Sequence, residues 1–346
     1  MMPLTAVYKM YKTPYHTADI SHYSFLITGG AGFIGSNLAE YLLKYKARKI
    51  RILDNLSTGH KRNIQDYLSN PAFEFMQGDI RDYETCLSAI AGMDYVLHQA
   101  ALGSVPRSIV DPLTTHEVNI TGFLNMLMAV KDSPVKRMVY AASSSTYGDS
   151  VTLPKVEDKI GNPLSPYAVT KYVNELYAHV FALTYKMELI GLRYFNVFGP
   201  RQDPNGAYAA VIPKFVNQLL KHQSPVINGD GNHSRDFTYI ENVVQANILA
   251  LFVQDPEAIN TVYNVALGEQ ISLNELVQTL KKYLSETDSA ISGIRVIHGP
   301  SRDGDIPHSL ASIEKATKNL GYSPRYKFTE GLRLAVQWYK DNHGGL

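Results

Sequence analysis

The sequence has one cysteine, no apolar run long enough to span a bilayer, no block of like charges and no low-complexity tract. Cys86 alone cannot form an internal disulfide, and no Cys/His spacing suits a structural zinc site. His116-Glu117 lacks the second histidine of a zinc-protease motif, so no metal is expected. A reducing, cytoplasmic setting fits this cysteine usage. Charge of one sign is missing too: 33 Lys+Arg stand against 32 Asp+Glu, for a net charge of +1. That balance leaves no electrostatic footprint for nucleic acid or an anionic membrane, and small-molecule partners are expected. The first residues carry Lys9, Lys12 and Asp19 among tyrosines, which is neither the apolar core of a signal peptide nor a membrane span. What is present is globular: 346 residues, 45% hydrophobic, enough for two domains or one large α/β unit.

From residue 24 to about 142, short apolar runs alternate with longer helical patterns. The runs are Phe25-Leu26-Ile27, Ile50-Arg51-Ile52-Leu53, Phe73-Glu74-Phe75-Met76, Tyr95-Val96-Leu97 and Met138-Val139-Tyr140-Ala141. Strands separated by helix-length segments read as βαβ units, whose right-handed crossovers build a doubly wound parallel sheet of Rossmann type. A sixth strand is expected at 189–192. After Tyr194 turn clusters such as Gly199-Pro200 and Asp203-Pro204-Asn205-Gly206 break the chain into shorter elements, with helical periodicity at 212–220, 243–252, 273–284 and 329–338. This is a smaller mixed α/β lobe. The expected organisation is an N-terminal extension (1–22), a dinucleotide-binding domain (23–195) and a mainly substrate-binding lobe (196–346) that returns some elements to the first domain.

Thr28-Gly29-Gly30-Ala31-Gly32-Phe33-Ile34-Gly35 follows the first strand and opens a helix. Glycines at i, i+3 and i+6 permit a tight turn, close approach of backbone to a pyrophosphate and close helix packing. Asp54 comes 19 residues after Gly35, at the end of the second strand, where a carboxylate accepts ribose hydroxyls and repels a 2′-phosphate. NAD is therefore favoured over NADP. Asp79-Ile80 and Gln99-Ala100-Ala101 end the third and fourth strands at the same sheet edge.

Ser165-Pro166-Tyr167-Ala168-Val169-Thr170-Lys171 reads as a helix start, with Ser165 as cap and Pro166 in the first turn. Tyr167 and Lys171 then share one face, so an ammonium beside the phenol is expected to lower its pKa toward general-base use. Such pairs are common by chance. What singles this one out is Ser143-Ser144-Ser145-Thr146, which follows the fifth strand and brings hydroxyls to the same edge.

In this order and spacing the motifs resemble the extended short-chain dehydrogenase/reductase family, over residues from about 24 to the C-terminus. Arg193-Tyr194-Phe195-Asn196-Val197-Phe198-Gly199, Ser234-Arg235-Asp236-Phe237 and Arg302-Asp303-Gly304-Asp305 are similar to substrate-side signatures of its nucleotide-sugar 4-epimerases. The stretches Gly103-Ser104-Val105-Pro106-Arg107-Ser108, Tyr147-Gly148-Asp149 and 202–210 resemble UDP-N-acetylhexosamine 4-epimerases of bacterial surface polysaccharide pathways.

The resemblance implies a bound NAD and reversible 4-epimerisation through a 4-ketopyranose. Tyr167 takes the 4-hydroxyl proton, Lys171 and Ser143 assist, and the sugar turns over before the hydride returns. On the cofactor it implies Gly29, Gly32, Phe33, Ile34, Gly35, Asp54, Asn55, Thr58, Gly59, Asp79, Ile80, Gln99, Ala100, Ala101, Asn119, Tyr194 and Val197, besides Tyr167 and Lys171. On the UDP-sugar it implies Gly103, Ser104, Ser143, Ser144, Asn196, Gln202, Ala210, Val211, Val226, Ile227, Asn228, Arg235, Arg302, Asp305, His308 and Ser309. At Ser309 hexose-restricted relatives carry a bulky aromatic, so a serine implies room for an acetamido group. The family often forms homodimers through helices that fall at 111–131 and 167–185.

Three alternatives stay open. A 4,6-dehydratase usually needs an Asp-Glu pair after the residue at Ser143, and here Ser144-Ser145-Thr146 follow. A UDP-uronic acid epimerase or decarboxylase would need a cation or hydroxyl cluster for its carboxylate. A non-catalytic dinucleotide-binding protein would be free to lose Tyr167 or Lys171, and both are present. Cys86 reads as a packing residue of a helix at 82–90.

Overall fold

The structure, a computed structural model, describes residues 10–205, 209–301 and 307–342. In chain order the first half forms β1 (Ser24–Thr28), α1 (Phe33–Lys44), β2 (Lys49–Asp54), β3 (Phe73–Gln77), α2 (Tyr83–Ile90), β4 (Tyr95–His98), α3 (Val105–Val110), α4 (Pro112–His116), α5 (Gly122–Lys131), β5 (Arg137–Ser143), α6 (Pro166–Tyr185) and β6 (Leu189–Tyr194). The second half adds β7 (Val197–Phe198), α7 (Val211–Leu220), β8 (Val226–Asn228), β9 (Ser234–Arg235), β10 (Thr238–Tyr239), α8 (Ile240–Phe252), β11 (Val262–Val265), β12 (Ile271–Ser272), α9 (Leu273–Ser285), β13 (Ile297–Gly299), α10 (Glu314–Leu320) and α11 (Phe328–Asn342). Every apolar run named above is a strand, and each helical period a helix. Among the described residues no helix is long and apolar enough to cross a membrane.

Seven strands form one parallel sheet in the order β11-β6-β5-β4-β1-β2-β3. This is the Rossmann arrangement extended by one strand, with its ligand-binding crevice expected outside the carboxyl ends. β1 lies inside the sheet between β4 and β2 with all five residues buried, as a strand covered on both faces requires. The strand ends line up: Thr28 sits beside Leu53 and His98, Asp54 beside Gln77, and Ser143 beside Tyr194.

Three features depart from the sequence pattern. The β2–β3 connection holds no α-helix but two single 3₁₀ turns, Lys61–Asn63 and Gln65–Tyr67, because Asn55 and Asn70 side chains accept from the backbone two residues on and favour turns. The helix expected through 111–131 is divided by a π turn at Glu117–Thr121. β11 was not foreseen; it follows α8 and pairs with β6.

From segment 10–22, Tyr11, Tyr15 and Ile20 are buried in the core. Tyr15 stacks on Tyr41 of α1 at 5.2 Å, Tyr11 meets the same ring edge-on at 5.4 Å, and the Arg325 guanidinium lies 4.6 Å over Tyr15. The Tyr11 N–H and the Tyr15 hydroxyl both donate to the buried Glu241 carboxylate of α8, at 2.9 and 3.2 Å. Burial raises the Glu241 pKa against these donors. The segment thus ties α1 to α8. Tyr15→Ala is expected to cost about 3 kcal/mol in chemical denaturation, as for other large-to-small core changes; a loss below about 1 kcal/mol would show that the segment merely rests on the surface.

Candidate active site

The turn after β1 is held by the Gly29 N–H, which donates to Leu53 O at 2.8 Å, and by the Gly32 N–H, which donates to Gly29 O at 3.1 Å. Gly29 has φ +67°, and a Cβ there would lie 2.7 Å from Ala100 N, so no other residue fits. A Cβ on Gly35 would collide with the Gly29 carbonyl. α1 starts with Gly32 at its N-cap and no side chain capping it, which leaves first-turn N–H groups facing an open concavity. Thr28 Oγ1 accepts the Ala100 N–H at 3.2 Å and contacts His98 Nδ1 at 2.8 Å, fixing Gln99, Ala100 and Ala101 opposite the glycine turn.

Asp54 is buried at the end of β2, where Oδ2 accepts the Ala31 N–H at 2.9 Å and Oδ1 the Leu56 N–H at 2.8 Å. Burial nonetheless pushes its pKa up. Asp79 is the opposite case: the Arg81 guanidinium, donating at 2.8–3.2 Å, and the Asn55 amide at 2.9 Å hold it down to about 2.

These parts line a cleft of about 540 Å³, with Gly29, Gly32, Phe33, Ile34, Gly35, Asp54, Asn55, Thr58, Gly59, Asp79, Ile80, Gln99, Ala100 and Ala101 among its walls, together with Gly103, Gln202 and Ala210. A cradle that Cβ atoms would fill, open helix N–H groups and a buried carboxylate at the second strand end are the donor set that a dinucleotide takes.

Ser143 ends β5. Its Oγ accepts from the Ser145 N–H at 3.1 Å and the Ser145 hydroxyl at 2.9 Å, so its own hydroxyl proton is available to donate. Ser165 caps α6 through the Ala168 N–H at 3.1 Å, with Pro166 in its first turn, and so sets the height of Tyr167. Lys171, one turn on, is 3% exposed and donates to Ala141 O at 2.8 Å. Burial lowers its pKa to about 8 with Glu175 opposing, and burial with the Lys171 charge lowers His98 to about 3, so His98 is neutral.

The expectation that Lys171 lowers the Tyr167 pKa is corrected. Burial raises the phenol, and the Ser143 hydroxyl is what pulls it back. The Lys171 N–H instead serves the strand carbonyl.

Beneath the serine turn, Arg193 makes two hydrogen bonds to Glu175 at 2.9 and 2.7 Å and lies 4.9 Å from the Tyr147 ring, whose hydroxyl donates to Asn264 Oδ1 at 2.6 Å. Arg193, the first residue of a motif read as substrate-side, is thus a buried support.

Ser143, Ser144, Tyr167 and Lys171 are not walls of the cleft; they stand beside it at the β5 end. Asn119 links the two regions. From the π turn its amide accepts the Leu102 N–H at 2.8 Å and donates to Leu102 O at 3.2 Å and Thr170 Oγ1 at 3.1 Å, so its polar atoms are engaged by protein. Tyr194 also lies behind the wall, its hydroxyl accepting the Asn247 amide at 2.9 Å with its one proton shared between Gln99 Oε1 and Asn247 Oδ1, each at 3.1 Å. Val197 pairs in β7 with β10, and its carbonyl accepts the Gln202 amide at 3.1 Å. Gln202 Oε1 is buried without a partner.

On the lobe side, exposed Asn196 has φ +33° and donates to Asp236 O at 3.1 Å. Arg235 donates to Ser234 O and Pro307 O, His308 Nδ1 meets Ser234 Oγ at 2.9 Å, and the Ser309 N–H donates to Ser234 O at 3.1 Å, so 234–235 and 307–309 form one corner. Asp236, fully buried, accepts from Leu267, Gly268 and Ala311 N–H groups at 2.9–3.2 Å, and burial still raises it to about 6. Ile227 of β8 is a core residue between exposed Val226 and half-buried Asn228, and Val211 opens α7 after Ala210. Ser104 caps α3 with φ +150°. Arg302 and Asp305 lie outside the described residues.

Sequence reasoning missed His60, and named Arg107 and Asp203 only as members of motif stretches without a site role; all three line the cleft. His60 directly follows Thr58-Gly59, which was the available signal; the pairing of His60 with Asp203 is long-range and carried none.

Residues 25–266 match the model of the NAD dependent epimerase/dehydratase family, and the chain belongs to it. It is an enzyme of that family with NAD as its cofactor. Three solved structures illustrate its surroundings. A UDP-N-acetylglucosamine 4-epimerase from Methanobrevibacter ruminantium, in complex with UDP-N-acetylmuramic acid, is 38% identical with TM-score 0.86, over 93% of this chain and 99% of that one. A UDP-glucose 4-epimerase from Thermotoga maritima with UDP-glucose is 33% identical with TM-score 0.84, over 92% and 99%. A UDP-glucuronic acid 4-epimerase from Bacillus cereus, with UDP-glucuronic acid and NAD, is 30% identical with TM-score 0.83, over 92% and 99%.

The Lys171 charge has a stability consequence. Its folded pKa, about 8, lies below the ordinary lysine value of 10.5, so the folded state disfavours the charged form. The cost is about 3 kcal/mol at neutral pH and fades as pH rises from 8 through 10.5. With NAD removed, Lys171→Met is expected to melt no lower than wild type at pH 7, with wild type gaining on it as the solution is made alkaline; with NAD bound, its turnover is expected to fall at least about tenfold. Thermal melts from pH 7 to 10 check the first and assays of the loaded enzyme the second; a variant that melts well below wild type at pH 7 contradicts the assignment.

Proposed function

We propose that the protein interconverts UDP-sugars at carbon 4, with UDP-N-acetylglucosamine and UDP-N-acetylgalactosamine as the preferred pair and UDP-glucose and UDP-galactose turned over more slowly. The observation that carries the reading is the composition of the edge beside the cleft: Ser143, Tyr167 and Lys171 are present, and the turn after Ser143 is Ser144-Ser145-Thr146, without a carboxylate. Proton removal from a hydroxyl is provided for; elimination of water, which needs an acid and a base there, is not.

In this reading the Tyr167 phenol exchanges a proton with the sugar 4-oxygen, and the Ser143 hydroxyl donates to the same oxygen as charge moves. Lys171 holds its position by the Ala141 carbonyl and adds positive charge. NAD, when bound, supplies the hydride acceptor and donor and the positive ring charge that the raised phenol lacks in the protein alone. Gln202 Oε1 offers an unused acceptor for a sugar N–H or O–H, and Arg235 on the 234–309 corner is assigned to the diphosphate. Arg302, Asp305 and Asn228 keep their expected roles on the nucleotide. Epimerisation of a UDP-uronic acid is the second reading, supported by the similarity to the Bacillus cereus enzyme. We read the protein as a cytoplasmic homodimer: exposed Leu176, Val180 and Leu183 on α6 and Ile109, Val110 and Leu113 on α3 and α4 offer an apolar face.

Incubation with each UDP-sugar separately, with products read by NMR, discriminates these readings. Tyr167→Phe is expected to abolish conversion with UDP-sugar binding nearly intact, and Ser143→Ala to slow it about a hundredfold or more. Wild-type conversion by the Tyr167→Phe variant moves the chemistry elsewhere.

Ser309→Tyr tests the preference. It is expected to remove turnover of the acetylated pair and keep some UDP-galactose activity. An unchanged ratio of kcat/KM values between the acetylated and plain sugars rejects the assignment of Ser309 and leaves 4-epimerisation standing.

A further inference from the structure

Two chain segments far apart in sequence close one side of the cleft. The first, 55–60, follows β2 and descends from the cofactor half; the second, 199–205, leads into α7 from the lobe. Each has anchors besides their mutual contact. The His60 N–H donates to Ala31 O at 3.0 Å and the Asn63 amide donates to the same oxygen at 2.9 Å, which seats the first segment on the glycine turn. The second is fastened to α1, where the Asn37 amide donates to Pro200 O at 3.1 Å and the Arg201 guanidinium serves buried Glu40 and Ser36 O, and to the turn at 65–67, where Arg201 also meets the Tyr67 hydroxyl.

Between these anchors His60 Nε2 meets Asp203 Oδ2 at 2.9 Å across 143 positions of chain, and both residues line the cleft. Arg62 stands 3.8 Å from the other carboxylate oxygen, which accepts the Asn205 N–H at 2.9 Å. Asp203 is held below its ordinary pKa by that N–H together with His60 and Arg62, against its burial. The two side chains are 37% and 29% exposed, accessible enough to part without unfolding the core.

We propose that His60 and Asp203 form a latch that retains the dinucleotide, and that NAD leaves this protein only when the pair opens. The proposal rests on NAD dependence and the fit of the cleft to a dinucleotide, not on which sugar is turned over. Neither side chain is assigned a part in proton transfer; both are positioning residues. Holding the cofactor suits a reaction that ends with NAD in its starting state, since exchange with solution then serves no purpose.

The test uses the NAD-loaded enzyme, with adenine-labelled NAD chased by unlabelled NAD and the release rate measured for wild type, His60→Ala, Asp203→Asn and the double variant. Each single change is expected to speed release about fivefold or more, and the double variant to be no faster than the faster single, because both remove one contact. Melting temperatures of the nucleotide-free variants are expected to match wild type. Release at the wild-type rate in the singles, effects that multiply in the double, or faster release that tracks a lowered melting temperature each overturns the latch.

Discussion

A buried ammonium fixes the arrangement of the edge that carries Ser143 and Tyr167. Lys171 has little solvent to hydrate its charge, and a buried cation is tolerated only with fixed partners. Its bond to Ala141 O locks α6 against β5 two residues before Ser143, so the same contact that satisfies the charge sets the helix carrying Tyr167 beside the strand carrying Ser143. The neighbours conform to it. His98 stays neutral, and Glu175, one turn further along α6, is paired with Arg193 while its charge still favours the ammonium. A lowered lysine and a raised tyrosine make a site unready for proton abstraction by itself, which suits a reaction that begins only with positive charge added beside the phenol.

The cofactor half follows the general logic of open α/β sheets, with backbone N–H groups at a helix start and a carboxylate at the next strand end. Its coupling to the Ser143–Tyr167 edge runs through short polar links. Thr28 joins His98 to Ala100, and Asn119 joins the Leu102 loop to Thr170, the neighbour of Lys171. Coupling to the lobe runs through segment 199–205 and through Tyr11 and Tyr15, which connect α1 to Glu241. The lobe corner built from 234–235 and 307–309 is drawn together by backbone pairing and stabilised by buried Asp236.

What could be read from the sequence was what is local and periodic. The glycine turn, Asp54, the capped start of α6 with Tyr167 and Lys171, and helices α7, α8, α9 and α11 each announce themselves within a few residues, because turn sterics, capping and burial of one face act at short range. β11 is four residues long and resembles any short apolar run until β6 is seen beside it. Tyr11 and Tyr15 fall in what reads as an N-terminal extension, and their burial depends on Tyr41, Glu241 and Arg325, each distant in the chain. The direction of the Tyr167 pKa shift was misread for a related reason: spacing places Lys171 on the right helix face, but burial and the competing Ala141 carbonyl are three-dimensional. His60 and Asp203 share that illegibility.

The central claim is that the edge formed by Ser143, Tyr167 and Lys171 removes and restores a proton on a sugar 4-hydroxyl while the hydrogen on carbon 4 is kept within the site. The most direct measurement supplies UDP-N-acetylglucosamine deuterated at carbon 4, in ordinary water, and follows the label in the epimer by NMR and mass spectrometry. The account predicts that the deuterium is recovered on carbon 4 of UDP-N-acetylgalactosamine without wash-out. Replacement of the label by solvent hydrogen during epimerisation would contradict it.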